Sequence, residues 1–476
     1  MKKPSAWLSA IPLITLIVLL SITISIFGSD ALAGPSQIVL LCSTAVCVCL
    51  GMGICKVKWR AIEQNIETKV RETTVSIYIL LVIGMLSASW MISGIVPTLI
   101  CYGIQIIHPA VFLASACAIS AVVSVMTGSS WTTIATIGIA LLGIGRALGF
   151  DDGWTAGAII SGAYFGDKVS PLSDTTVLAS SVSGTPLFKH IRYMMLTTTP
   201  TILITLVTFL SAGLWMGSIT HSDTTQYTIA LEKTFTITPW LLTVPAATAW
   251  LIYQKVPSLI VLFASSMMAV VMMLIFQRDV LLQISGSLFQ SVIITLSQST
   301  SVTTGVPVLD KLVSTSGMTG MLNTIWLILS AMVFGGAMSA CGMLKSFLHA
   351  VFRHMVKTRV GLVTATVLNG IAMNIMTGDQ YISIILSANM FKEEYARQGY
   401  EPRLLSRSCE DSATVVSVLI PWNTCGMTQS TILGVATIIY LPYCFFCYLS
   451  PLMSILHAVT GWKIIRDVRK VPLTNT

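Results

Sequence analysis

The apolar positions of this chain run in long unbroken blocks rather than in the narrow stripes of a surface helix. A hydrocarbon core about 30 Å thick takes roughly 20 apolar helical residues to cross. The stretches Ile11–Phe27, Ile38–Ile54, Val75–Val96, Ile191–Trp215, Ile237–Tyr253, Pro257–Phe276, Leu322–Leu344 and Ser430–Ser450 read as such spans. Four others, 109–149, 154–188, 360–391 and 408–428, are apolar but interrupted by polar residues, Gly or Pro. Residues 280–321, rich in Ser, Thr and Gly, fit no span and are expected to form an outer re-entrant or interfacial segment. The first block follows Lys2 and Lys3 and precedes Ala31-Leu32-Ala33, the layout of a secretory signal. Its apolar run is longer than a signal's and further spans follow, so a retained first span is expected.

Composition removes the soluble alternatives. Of 476 residues, 54% are hydrophobic and 10% charged, whereas a soluble domain carries about 25% charged residues. So few charges cannot solvate a globule of this size, which excludes a soluble enzyme, a secreted disulfide scaffold, a nucleic-acid binder and a disordered linker. The solvent is membrane lipid.

The formal charge of +8 reflects the positive-inside bias. Lys56, Lys58, Arg60, Lys69 and Arg71 form one basic loop, and Lys345, Arg353, Lys357 and Arg359 another. Lys189 with Arg192, Lys392 with Arg397, Arg403 and Arg407, and the tail residues Lys463, Arg466, Arg469 and Lys470 complete the set. All are expected in the cytoplasm with both termini, and the connections around Asp30, Asp151-Asp152 and Asp223 outside. This holds only if 109–149 and 360–391 are re-entrant hairpins that return to their starting side.

Met126-Thr127-Gly128-Ser129-Ser130-Trp131 recurs 250 residues later as Met376-Thr377-Gly378-Asp379-Gln380-Tyr381, each mid-way along a hairpin. Ser173-Asp174-Thr175 and Trp422-Asn423-Thr424 follow in the two interrupted helices. Loop charges send the third span out of the cytoplasm and Leu322–Leu344 back into it, so the two units are inverted. The predicted fold is an all-α polytopic membrane protein with two inverted-topology repeats, each with a re-entrant hairpin and a broken transmembrane helix, the architecture of secondary transporters. Two N-terminal spans (1–55) precede the first repeat (56–217, hairpin 109–149, broken helix 154–188). Connecting spans (218–321) lead to the second repeat (322–456, hairpin 360–391, broken helix 408–428) and a cytoplasmic tail (457–476).

Of 19 carboxylates, all but Asp167, Asp174, Asp379, Glu410 and Asp411 fall in loops or flanks. Each of those five costs at least about 2.5–3.5 kcal/mol at mid-membrane and needs a partner or a cation. Gly166 and Pro171 break the helix around Gly166-Asp167-Lys168-Val169-Ser170-Pro171-Leu172-Ser173-Asp174-Thr175-Thr176 and free its carbonyls. Oxygen ligands of this kind suit alkali and alkaline-earth cations. Asp167 either pairs with Lys168 or joins the cation site; Asp174, with no basic neighbour, is the leading cation and proton site. Ser170, Ser173, Thr175, Asn423 and Thr424 add neutral oxygens, with Pro421 and Gly426 bracketing the second set. Asp379 either binds a cation or makes the hairpin turn. Glu410 and Asp411 are either helix-start carboxylates favoured by the macrodipole or a proton relay.

Gly162–Thr176, Thr377–Tyr381 and Leu405–Gly426 resemble the hallmark segments of NhaC-type sodium/proton antiporters, within the wider ion-transporter superfamily. The similarity runs from about residue 60 to the last span; Val177 and Val418 depart from the pattern, which has Asn and Pro there. The resemblance implies a bacterial inner-membrane secondary antiporter, not an enzyme, that exchanges Na⁺ for H⁺ by alternating access. It implies Na⁺ at Asp174, Asp167 and Asn423, hairpin tips at Thr127, Gly128, Ser129, Ser130, Thr377 and Gly378, and by analogy a homodimer. No cofactor is expected, since Na⁺ and H⁺ are transported ions, and the partners are membrane lipid rather than nucleic acid. The alternative in the same family is a Na⁺-coupled organic-acid exchanger of the lactate/malate type, whose small carboxylate would need anion donors such as Ser129, Ser130 or Asn423.

Other motifs carry less. Cys444-Phe445-Phe446-Cys447 lacks a second pair or a His and reads as packing in the last span. Gly143-Ile144-Gly145-Arg146-Ala147-Leu148-Gly149 follows no strand, so close helix packing is expected rather than a dinucleotide loop; Arg146 either snorkels or pairs with Asp151 or Asp152. His349 and His354 are expected at the headgroup surface, and all six His in loops or near span ends. Without a Ser–His pair inside the membrane, or a polar stripe along one helix, an enzyme or a channel is disfavoured.

Overall fold

The computed structural model describes residues 4–27, 34–216, 224–254, 256–306, 309–310, 313–352 and 355–464. Lys2, Lys3, Asp30, Ala31-Leu32-Ala33, Asp223, Arg353, His354, Arg466, Asp467, Arg469 and Lys470 lie outside the described residues, as does the side chain of His349. Helices carry the fold because hydrocarbon leaves backbone groups no other partner. In chain order they are α1 (Ala6–Phe27), α2 (Pro35–Gly53), α3 (Trp59–Glu72), α4 (Thr74–Ile92), α5 (Ile95–Ile106), α6 (Phe112–Thr127), α7 (Ser130–Thr133) and α8 (Ile139–Ala147). There follow α9 (Asp152–Val169), α10 (Asp174–Ser183), α11 (Leu187–Met216), α12 (Thr224–Thr234), α13 (Thr243–Tyr253), α14 (Ser258–Phe276), α15 (Arg278–Ile284) and α16 (Leu288–Ser297). The last third holds α17 (Leu322–Ala340), α18 (Met343–Phe352), α19 (Arg359–Thr377), α20 (Gln380–Arg397), α21 (Pro402–Cys409), α22 (Thr424–Leu433), α23 (Thr437–Tyr440) and α24 (Phe445–Thr460).

Among the described residues, 8 helices are long and apolar enough to cross a membrane, or up to 11 if each sharply bent pair makes one crossing. The chain is a multi-pass membrane protein. One of the predicted spans near a sharp bend is continuous and one is not. Ile237–Tyr253 is helical from Pro239 to Tyr253, and the 90° bend lies before it, after Thr234. Ser430–Ser450 is cut at Gly434, whose φ of +64° ends α22; a 91° bend follows, and the final helix begins at Phe445. Hydropathy registers apolar content, and Gly434 stops a helix without lowering it, whereas Pro239 opens one at its first turn. Val75–Val96 likewise ends at Ile92, with Gly94 at φ +82° before α5. In the unassigned region, α15 and α16 meet at 76°, and Thr300 and Thr315 bridge the irregular segment that follows.

The same local structure is built twice, 250 residues apart. Gly128 ends α6 and Gly378 ends α19, both at φ +68°. The Thr127 hydroxyl accepts from Ser129 N–H at 3.1 Å, and that of Thr377 from Asp379 N–H at 3.3 Å. Ser124 donates to the Ala163 carbonyl at 2.5 Å, and Asn374 to the Ala413 carbonyl at 2.6 Å. Each turn is thus fastened to the neighbouring interrupted helix by a side-chain donor on a backbone carbonyl, a hydroxyl in the first case and an amide in the second. The α6–α9 contact depends on missing side chains: a Cβ on Gly162 would lie 2.0 Å from the Cys117 carbonyl oxygen, and one on Gly166 2.4 Å from Ser124. Small residues give this close backbone approach in membranes. Gly145 packs in the same way on Thr155, the close packing expected of the Gly143–Gly149 run.

Candidate functional site

Chain breaks at 170–173 and 420–423 interrupt the two broken helices and leave α10 and α22 as separate short helices. At the first, the Thr176 hydroxyl donates to the freed carbonyl of Lys168 at 2.9 Å, so the break is held open by side chains. Asp167 projects from the last turn of α9 and is 5% exposed. Ser130 donates to it from its hydroxyl at 2.6 Å and its N–H at 3.3 Å, and Ser173 donates at 2.6 Å. The turn between α6 and α7, the break and the carboxylate are therefore one unit. The N-terminus of α7 supplies the N–H, a position that favours negative charge. Each hydroxyl keeps lone pairs for a cation while donating, and Thr175 extends the set through a 3.0 Å contact with Ser173.

A cavity of about 100 Å³ opens on Asp167, bordered by Thr127, Gly128, Ser129, Asp174 and Thr175 and, from the other half, Gln380 and Tyr381. That volume holds several waters. Asp174, expected to be the buried site, is exposed at the start of α10; the helix break turns it to the cavity mouth and gives burial to Asp167. Ser170 lies behind, its hydroxyl donating to the Val125 carbonyl at 2.8 Å.

Asn423, Thr424 and Asp379 form a second group. Asp379 caps α20 by accepting from Ile382 N–H at 3.0 Å, and the Thr424 hydroxyl stands 3.5 Å from its other oxygen. Asn423 caps α22 and donates to Asn374 at 3.1 Å. Gln380 joins the groups: it borders the cavity and accepts from Ser417 at 3.3 Å. This pair stands where Ser130 and Asp167 stand in the first half.

Lys168 does not pair with Asp167. Fully buried, it forms an ion pair with Asp411 and donates to Ser450 at 2.7 Å. One helical residue turns the side chain about 100°, which sends neighbours to different faces. Arg407, expected in a cytoplasmic loop, is also fully buried, 3.6 Å from Asp411, with His457 at 3.1 Å and Tyr193 beneath its guanidinium at 4.8 Å. Thr197 donates to Asp411 at 3.2 Å. Glu410 and Asp411 occupy a π-helical turn one helix beyond Pro402, so they are not helix-start carboxylates. Glu410 is fully buried and neither oxygen accepts a bond at hydrogen-bond geometry. His190 and His457 stand near helix ends, as expected, and are buried there, with His190 2.8 Å from Ser406. Sequence reasoning missed Arg407, Asn374, Gln380 and Ser417, although Arg407 and Asp411 stand at the i,i+4 spacing of a helical ion pair. Among the described residues, no three His, Cys, Asp or Glu gather as a metal centre.

Helical spans whose ionisable groups cluster at helix breaks define the class of membrane protein that builds ion pathways and proton relays in its interior. The chain belongs to the Na⁺/H⁺ antiporter family, whose profile matches residues 162–462. It is 36% identical over 406 residues to the Na⁺/H⁺ antiporter NhaC of Alkalihalophilus pseudofirmus, covering 85% of this chain and 86% of the relative. It is 35% identical over 400 residues to NhaC of Bacillus subtilis, covering 84% and 86%. The malate-2H⁺/Na⁺-lactate antiporter of Bacillus subtilis is 33% identical over 430 residues, with 90% of each chain covered.

Proposed function

We propose that this protein exchanges Na⁺ for H⁺ across the cytoplasmic membrane, with Asp167 as the carboxylate that holds either ion. One observation carries the reading: a buried carboxylate, gripped by the hydroxyls of Ser130 and Ser173, on the wall of a cavity to which both halves contribute. Desolvation favours a neutral carboxyl and a bound cation favours the charged form. Na⁺ and H⁺ therefore exclude each other at Asp167, and the two fluxes are coupled without covalent chemistry. Ser130, Ser173 and Thr175 supply neutral oxygens, and Asp174 gathers cations at the mouth. Asp379, Asn423 and Thr424 are the matching group of the second half. Glu410, fully buried beside Thr175 and Thr414, carries protons; Asp411 is a positioning residue that holds Lys168 and Arg407 in place.

The 250-residue correspondence of tips, caps and tip-to-helix bonds supports two structural repeats, and the loop charges support their inversion and cytoplasmic termini. Alternating access then follows from motion of the Gly128 and Gly378 hairpins relative to their broken helices.

The test is a cargo panel. In voltage-clamped proteoliposomes with an internal pH dye, NaCl drives proton movement while KCl does not. Movement that appears only with sodium lactate or sodium malate would reassign the cargo to an organic acid and leave the fold intact.

A further inference from the structure

A second cavity, about 680 Å³, lies farther along the same helices. Ile79 of α4 borders the small cavity at Asp167, whereas Ile83, Ser87 and Met91 border the large one. At 1.5 Å per residue, Ile79 and Met91 are about 18 Å apart along α4. The return leg of the first hairpin repeats the order, with Trp131 at the small cavity and Leu142 and Arg146 at the large. The two spaces are thus stacked along the helix axes. Between them stands the π-helical turn Ile134–Gly138, where Ile134 is fully buried and Ala135 is 1% exposed.

The large cavity is built for a cation. Ser87, Ser314, Thr315 and Thr431 place hydroxyl-bearing residues along it. The last turn of α22 ends in its wall at Leu433 and Gly434, and a helix C-terminus presents the negative end of the peptide dipole. Its charged groups are one pair: Asp152 accepts from Arg146 at 2.7 and 2.9 Å, with the two side chains 36% and 23% exposed. The pair is bidentate, the stronger geometry for a part-exposed ion pair, so Arg146 is the group that a cation at Asp152 has to displace.

Resting on the exchange reading above, we propose that this cavity is the approach to the Asp167 site from the opposite membrane face. Asp152 is the carboxylate that gathers Na⁺ there, and Arg146 is its resident competitor. The assignment gives residues 314–317 of the otherwise unassigned segment a place in the ion path.

Two measurements test it. The first needs no transport: Ser87→Cys and Leu172→Cys are treated with a charged, membrane-impermeant thiol reagent in vesicles of each orientation, with the unaltered protein as blank. Ser87→Cys reacts from one face and Leu172→Cys from the other. Reaction of both from the same face, or no reaction of Ser87→Cys from either, overturns the proposal. The second is sided Na⁺ kinetics. Asp152→Asn raises KM for Na⁺ about threefold on the face where Ser87→Cys reacts, and Arg146→Gln lowers it there, as expected of steering by a single charge. Equal changes on both faces, or none, overturn the role of Asp152. Absence of any Na⁺-driven proton movement in the unaltered protein would instead overturn the exchange reading, while the labelling would still judge the cavity.

Discussion

The hydroxyl of Ser130 donates to Asp167 across 2.6 Å, and the N–H of the same residue donates to the same oxygen at 3.3 Å. The turn after α6 and the break after α9 are joined through a carboxylate, so in the proposed exchange occupancy of the carboxylate is coupled to the position of the turn. A hydrogen bond to a charged group contributes about 1.5–3 kcal/mol. Ser130→Ala should therefore weaken apparent Na⁺ affinity at least about tenfold, read from the Na⁺ dependence of proton flux. An unchanged affinity would detach the tip from ion binding.

Asp411 faces two buried cations, Lys168 and Arg407. Removing one partner of a buried ion pair costs about 3–5 kcal/mol. Lys168→Met leaves Asp411 with Arg407, whereas Asp411→Asn strands both cations. Thermal melts of the purified protein should place Asp411→Asn below Lys168→Met, and both below the unaltered chain. The reverse order would show that the cluster is not organised around Asp411.

Gly162→Ala should be destabilising although alanine is the better helix former, because its Cβ would meet the Cys117 carbonyl. Overpacking costs about 1–3 kcal/mol. Gly53→Ala is the control, with nothing within 4 Å of the new methyl. Melting temperatures of the two variants check the contrast; equal values would mean that α6 and α9 do not depend on close approach.

Asp379 combines a cap with a candidate ligand, and substitutions separate the two. Asn is as good an N-cap as Asp, whereas Ala costs about 0.5–2 kcal/mol. Asp379→Asn should melt like the unaltered protein but bind Na⁺ more weakly. Full Na⁺ affinity in that variant would leave Asp379 as a turn residue alone.

Much of this was legible in the chain because lipid makes polarity conspicuous. The Met-Thr-Gly turns and the Pro171 break announced themselves against apolar surroundings, and helices end at them; Gly166, expected to interrupt the helix as well, lies inside α9, which continues to Val169. The bend after Gly434 was not legible as a break, since the chain stays apolar on both sides of it. Partner choice was hidden as well. Adjacency in sequence suggested Lys168 with Asp167, but consecutive helical residues diverge, and Lys168 reaches Asp411 in the other half of the chain. Arg407 looked like one more basic loop residue until α21 buried it. Asp174 and Asp167 both lie at one break; only the turn of the chain through 170–173 decides which is buried.

The central claim is that Asp167 holds Na⁺ and H⁺ in alternation, and reconstituted Asp167→Asn tests it most directly. Proton movement driven by a NaCl gradient should vanish in this variant, while Asp174→Asn retains it with a raised KM for Na⁺. Undiminished Na⁺-driven proton movement by a folded Asp167→Asn protein would contradict the account.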